Sequence, residues 1–151
     1  MNRDRIIAVA MFSFTGGLVW VLFVILFLGE SPFSWFNLTG LVSSIIAPAV
    51  ITYLISPRIY KKELSKRTKV FASFYGVGIT FLSFLLGSVI FFSFDLFMAE
   101  NSVTFLLIQE QVSLVLFGFL YATILMSPGY ILGAFTGIIY VKYLSRKEIE
   151  I

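Results

Sequence analysis

Four stretches of this chain hold no Asp, Glu, Lys or Arg: Ile6–Leu28, Leu38–Ile55, Val70–Phe94 and Val112–Val141. Each is close to or longer than the roughly 20 helical residues that cross a hydrocarbon layer of about 30 Å. In lipid every backbone N–H and C=O must be bonded within the protein, which leaves helices or closed barrels. The alternation of a barrel strand is missing here, so the runs are expected to be helices. Composition agrees, because only 13% of the 151 residues are charged, against about 25% in soluble domains. The expected fold class is an all-α integral membrane protein. It has four transmembrane helices, arranged as two parallel-related hairpins in a single membrane domain over residues 1–151.

Charge sets the expected orientation. All 11 Lys and Arg fall before the first run, between the second and third, or after the fourth. The other two connections carry only acids: Glu30 in one, and Asp95, Glu100 and Glu110 in the outer loop 95–111. Lys/Arg bias in short loops fixes topology, so both termini and the loop 56–69 are expected in the cytoplasm of a multi-pass cell-membrane protein. The first run exceeds the 7–15 residues of a signal-peptide core and is read as a retained anchor ended by Gly29. Asn37-Leu38-Thr39 matches a glycosylation sequon at a helix entry and is read as accidental. In the outer loop, Asn101 and Ser102 are candidate caps, and Leu106, Leu107 and Glu110 follow at helical spacing. That pattern suits a short interfacial helix or an early start to the fourth helix.

The second and fourth runs align at an offset of 80, with Pro48 on Pro128. Eleven residues later Ile59–Arg67 falls on Ile139–Lys147, with five of nine positions identical. The first and third runs share Ser-Phe-x-Gly at an offset of 60, ending at Gly16 and Gly76. A tandem repeat of 12–67 and 72–147 is the expectation, set against convergence among helix exits. Pro48 and Pro128 are expected to kink their helices, since proline removes one backbone bond and crowds the preceding turn. A break at Pro128 into two separate spans is disfavoured, because Gly129–Val141 alone is too short to cross.

The sequence excludes several chemistries. With no Cys and no His there is no disulfide, no thiolate metal site, no histidine haem ligand and no Cys or Ser–His nucleophile. No phosphate-binding glycine loop follows a strand. No carboxylate lies in mid-span, where a proton-coupled transporter would want one. Neither catalysis, cofactor nor nucleic-acid binding is expected.

What remains is surface and packing. Ser43, Ser44 and Tyr53 on helix two, with Ser127 and Tyr130 on helix four, are candidate members of a hydroxyl-lined pathway between those helices. Intrahelical or interhelical bonding is the plainer reading of such groups. Gly129, Gly133 and Gly137 form a small-xxx-small seam expected to dock helix two or a partner, with Gly16 and Gly76 as further packing glycines. Helices two and four are the expected inner pair. Arg58, Lys61, Lys62, Lys66, Arg67 and Lys69 form a basic cluster suited to anionic lipid headgroups, each charge near the surface contributing about 1 kcal/mol. The functional expectation is a non-enzymatic membrane subunit or accessory protein working through helix–helix contacts, with other membrane subunits or its own copies as partners. The alternative is a small oligomeric transporter or channel.

Overall fold

The computed structural model describes residues 3–29, 31, 34–60, 69–98 and 105–149, with side chains throughout except at 35–36, 58–60, 95–98, 105–108 and 147–149. Every element among them is helical. The first run becomes α1, Arg3–Phe23, which widens into a π-helical turn over Val24–Leu28. Gly29 then closes it at φ +64°, a left-handed cap that a Cβ would penalise.

Helix α2, Trp35–Tyr60, starts on Ser34. The Ser34 hydroxyl accepts the Asn37 N–H at 3.4 Å, satisfying one of the free donors of the first turn. Asn37 itself is fully buried and donates its side-chain amide to the Ser31 carbonyl at 2.8 Å. The sequon asparagine is therefore enclosed by its own fold. Helix α2 continues unbroken through Pro48. The Ser44 carbonyl that Pro48 leaves without an intrahelical donor lies against Gly16 of α1, where a Cβ would collide with it.

Helix α3, Lys69–Met98, is the longest. After it the fourth apolar run departs from expectation. It is not one kinked helix but two, α4 (Phe105–Leu125) and α5 (Pro128–Ile149), meeting at 74°. The reason is local. Pro128 has no N–H to continue the α ladder and takes the first position of α5, where none is needed. The chain turns on tighter bonds, Ser127 N–H to Ile124 O at 3.4 Å and Gly129 N–H to Met126 O at 2.7 Å. The first of the two loop readings for 95–111 is replaced: Phe105 onward is the start of α4. Asp95, Glu100, Asn101 and Ser102 lie outside the described residues or side chains.

Arg3–Leu28, Asn37–Pro57 and Lys69–Phe94 are each long and apolar enough to cross a membrane. Gln109–Leu125 and Pro128–Arg146 pass the same test only together, as a broken span or a re-entrant pair. The bundle itself is α1, α2, α3 and α5, with α3 at its centre against α2, α5 and α4. Helices α2 and α5 meet only marginally, so the expected inner pair of helices two and four is replaced by α3 as hub. Small residues make that possible, because they let α5 come close to α3.

The core gathers at one end. Ala8 and Phe12 of α1, Ala72 and Ile79 of α3, and Tyr140, Val141 and Leu144 of α5 form one buried cluster. The Tyr140 hydroxyl donates to the Asp4 carbonyl at 3.1 Å, and the Arg5 Nε to the Tyr53 carbonyl at 2.7 Å. These bonds bring the start of α1, the end of α2 and the latter half of α5 together. The start of α1, the end of α2, the start of α3 and the end of α5 thus share one end of the bundle.

Candidate functional site

The seam forms as its spacing suggests, but its partner is α3. A Cβ on Gly133 would strike the Thr80 hydroxyl, and one on Gly76 would strike the Gly133 carbonyl. A Cβ on Gly137 would strike the Ala72 carbonyl, while Gly129 faces Phe84 and Val19 at 3.1–3.3 Å. Ala72, Gly76 and Thr80 therefore answer Gly137 and Gly133 along antiparallel helices, with Phe84 next in line opposite Gly129. The expectation of a seam for helix two is corrected. The signal that names α3 was present: its small residues repeat every four positions, as the glycines of α5 do.

Gly16 and Gly76 both sit at close helix crossings, though in different registers. Gly16 meets Ser44 and Pro48, whereas Gly76 meets Gly133 and Ala134. At an offset of 80 those last two correspond to Tyr53 and Leu54.

The candidate pathway residues do not form one row. Ser43 and Ser44 donate to Thr39 O and Leu41 O of their own helix, each at 2.8 Å. Tyr53 is at the opposite end of α2, its ring 3.5 Å beneath the Arg5 guanidinium. Ser127 is exposed at the break. Tyr130 stacks edge-on against Phe84 at 5.3 Å, its buried hydroxyl without a hydrogen-bond partner among the described residues. Two further hydroxyls that sequence reasoning did not single out by burial, Thr52 and Ser56, are fully buried and likewise unpartnered. One interhelical pair is made: Thr15 of α1 and Thr136 of α5, 2.8 Å apart. One hydroxyl donates to the other, which donates to its own helix at Met11 O or Leu132 O.

Of the basic cluster, Lys69 is exposed at the start of α3; Lys61, Lys62, Lys66 and Arg67, and the Arg58 side chain, lie outside what is described. Lys142 and Arg146 are exposed on α5. Among the described residues no cluster of acids is placed to hold a metal ion.

The feature that sequence reasoning missed is a cavity of about 480 Å³ that runs from Phe12 and Ile79, at the edge of the packed core, toward the opposite end. Its walls are α1 from Phe12 onward, the first half of α2, α3 from Ile79 to Phe92, and α4 from Leu114 to Leu125, with Met126 at the break and Gly129 of α5. Trp20 and Phe91 meet across it at 6.3 Å. Trp20 also donates its ring N–H to the Asn37 carbonyl at 2.9 Å and fills the place where Gly40 lacks a side chain. Helix α4 forms one wall of the cavity and rests on α3 alone among its main contacts. The contact is thin: Gly118 beneath the Phe92 ring, and Phe119 edge-on to Phe81 at 5.2 Å. No residue lining the cavity is charged.

The chain matches no family model, and no curated protein or solved structure is significantly similar to it.

Proposed function

We propose that this chain is an integral membrane protein with both termini in the cytoplasm, acting as a non-enzymatic subunit through helix contacts within the bilayer. Four charge-free runs and the one-sided Lys/Arg distribution support the placement. The observation that carries the functional reading is the state of α4. Leu116, Phe117, Leu120, Tyr121 and Ile124 are each more than half exposed, and the helix leans on a single neighbour. Association in a membrane depends on packing between helices rather than on a hydrophobic drive. A helix left with one partner therefore keeps most of its packing surface for another protein. Phe14 and Phe74, also exposed, lie on helices already packed from two or more sides.

The transporter reading has less behind it, since Ser43 and Ser44 are bonded to their own backbone and α2 scarcely meets α5. Partners in this proposal are other membrane subunits or further copies of the chain, with anionic headgroups at the basic loop. Photo-crosslinkers placed at Leu116 and Leu120 in native membranes should give discrete protein adducts, and the same groups at Phe14 and Phe74 only lipid adducts. Protein adducts absent from both α4 positions would overturn the reading.

A further inference from the structure

The cavity under α4 has a wall chemistry that specifies its occupant. Seven hydroxyls border it, on Thr15, Ser43, Ser44, Thr80, Ser83, Ser88 and Tyr121. Tyr121 is 64% exposed at the rim of α4, and the six serine and threonine groups each have a carbonyl of their own helix within 2.6–3.0 Å to donate to. Those protons are committed to the helices, and the groups turn carbon toward the cavity. The Trp20 N–H is committed to Asn37, and the rest of the lining is aliphatic, aromatic or glycine. A polar or charged ligand would lose its hydration and find the Tyr121 hydroxyl as its one donor, at a cost of several kcal/mol. Water fares no better, since an ordered water needs two to four polar partners.

Size narrows the class. An apolar cavity of about 150 Å³ stays dry and admits benzene. This one, at about 480 Å³, has roughly three times that room. It is elongated along the bundle, from Phe12 and Ile79 to Phe23 and Phe92, so it fits a chain better than a ring. We infer that the cavity between α1, α2, α3 and α4 binds a single long hydrocarbon chain, the acyl chain of a lipid, with its headgroup left outside. The site rests on the membrane placement but not on any protein partner of α4. Loss of crosslinks at Leu116 would leave it standing.

Trp20 in the wall provides the readout. A Trp35→Phe background leaves Trp20 as the one tryptophan, because the chain has two. Dibromostearic acid titrated into this protein in mild detergent should quench Trp20 saturably at one equivalent. Two variants narrow the cavity. Ala122→Phe adds a ring from α4. Gly87→Leu is tolerated at its base, where a Cβ meets nothing nearer than Ala47 at 3.7 Å. Each should weaken quenching about tenfold or more, while Leu54→Phe, on an exposed face of α2, should leave it unchanged. Quenching that rises linearly without saturation is partition into micelles and overturns the site. Saturation unaffected by both narrowing variants places the chain elsewhere and overturns it equally. Should neither variant stay monodisperse, saturation against linearity in the parent decides. A phosphatidylcholine with one dibrominated chain, offered in nanodiscs, separates the sources. Quenching to the same plateau identifies a bilayer lipid, and quenching by the acid alone identifies a free fatty acid.

Discussion

The two ends of this bundle are packed very differently. At the end holding both described helix termini, Ala8, Ala72, Ile79 and Tyr140 are all but sealed, and glycines let α5 approach α3 backbone to backbone. At the other end aromatic side chains stand between the helices, α4 is held by one neighbour, and a cavity of about 480 Å³ results. The lesson concerns side-chain size rather than hydrophobicity. Membrane helices gain by close contact, and small residues spaced by four supply it. Helix α5 presents Gly129, Gly133 and Gly137, while α4 presents Phe117, Phe119 and Tyr121 around Gly118 and Ala122.

The sharpest break in that comparison is to put bulk into the tight seam. Gly133→Leu would drive a Cβ into the Thr80 hydroxyl and the Gly76 carbonyl. Neither can yield without parting α5 from α3, so the expected loss is about 3 kcal/mol or more. Membrane insertion depends on hydropathy and should be intact. Unfolding by added SDS in mild detergent, followed by tryptophan fluorescence, measures the first; alkali extraction of membranes checks the second. Wild-type stability in this variant would mean that the seam is not a contact.

Ala72→Phe tests the same end from the α3 side. Ala72 is 1% exposed and its carbonyl lies against Gly137. A ring there has no room, and overpacking should cost about 2–3 kcal/mol in the same unfolding assay.

The reach of sequence reasoning divides along the same line. The seam was legible because its signal is local, three glycines four apart, but its partner required knowing which helix lay opposite. The break at Pro128 was half legible. Ala47-Pro48-Ala49 keeps good helix formers on both sides and stays helical, whereas Ser127-Pro128-Gly129 follows its proline with a residue about 1 kcal/mol worse in a helix. The same alignment that equated the two prolines hid this difference. The cavity was not legible at all, since no single segment carries it: it arises where aromatic side chains of α1, α3 and α4 keep the helices from closing. The hydroxyl row misled for a related reason. Sequence shows that a serine is present but not that its proton is already given to the carbonyl a turn before.

A smaller effect is expected from the one described hydroxyl pair between helices, which lies between the two ends. Thr136→Val removes the bond to Thr15 and keeps the shape. Thr15 can still donate to the Met11 carbonyl at 2.9 Å, so no buried group is stranded. The loss should be about 0.6–1.7 kcal/mol, the range of membrane hydrogen bonds. A loss above about 3 kcal/mol would mean that the pair organises more than its own contact.

The smallest effect should come from the open end, where the comparison is most exposed to refutation. Ala122→Phe makes the same chemical change as Ala72→Phe, on a helix of similar apolar character. Here the added ring points among Phe117, Gly118 and Leu125 into a space bounded by α1, α2 and α3, rather than into a closed seam. Buried area gained on filling offsets the rotamer freedom lost, and no backbone need move. Stability should therefore change by less than about 0.5 kcal/mol in the SDS assay, or rise slightly. Were Ala122→Phe to cost as much as Ala72→Phe, α4 would be packed as tightly as α5, and the division of the molecule into a sealed end and an open end would fail.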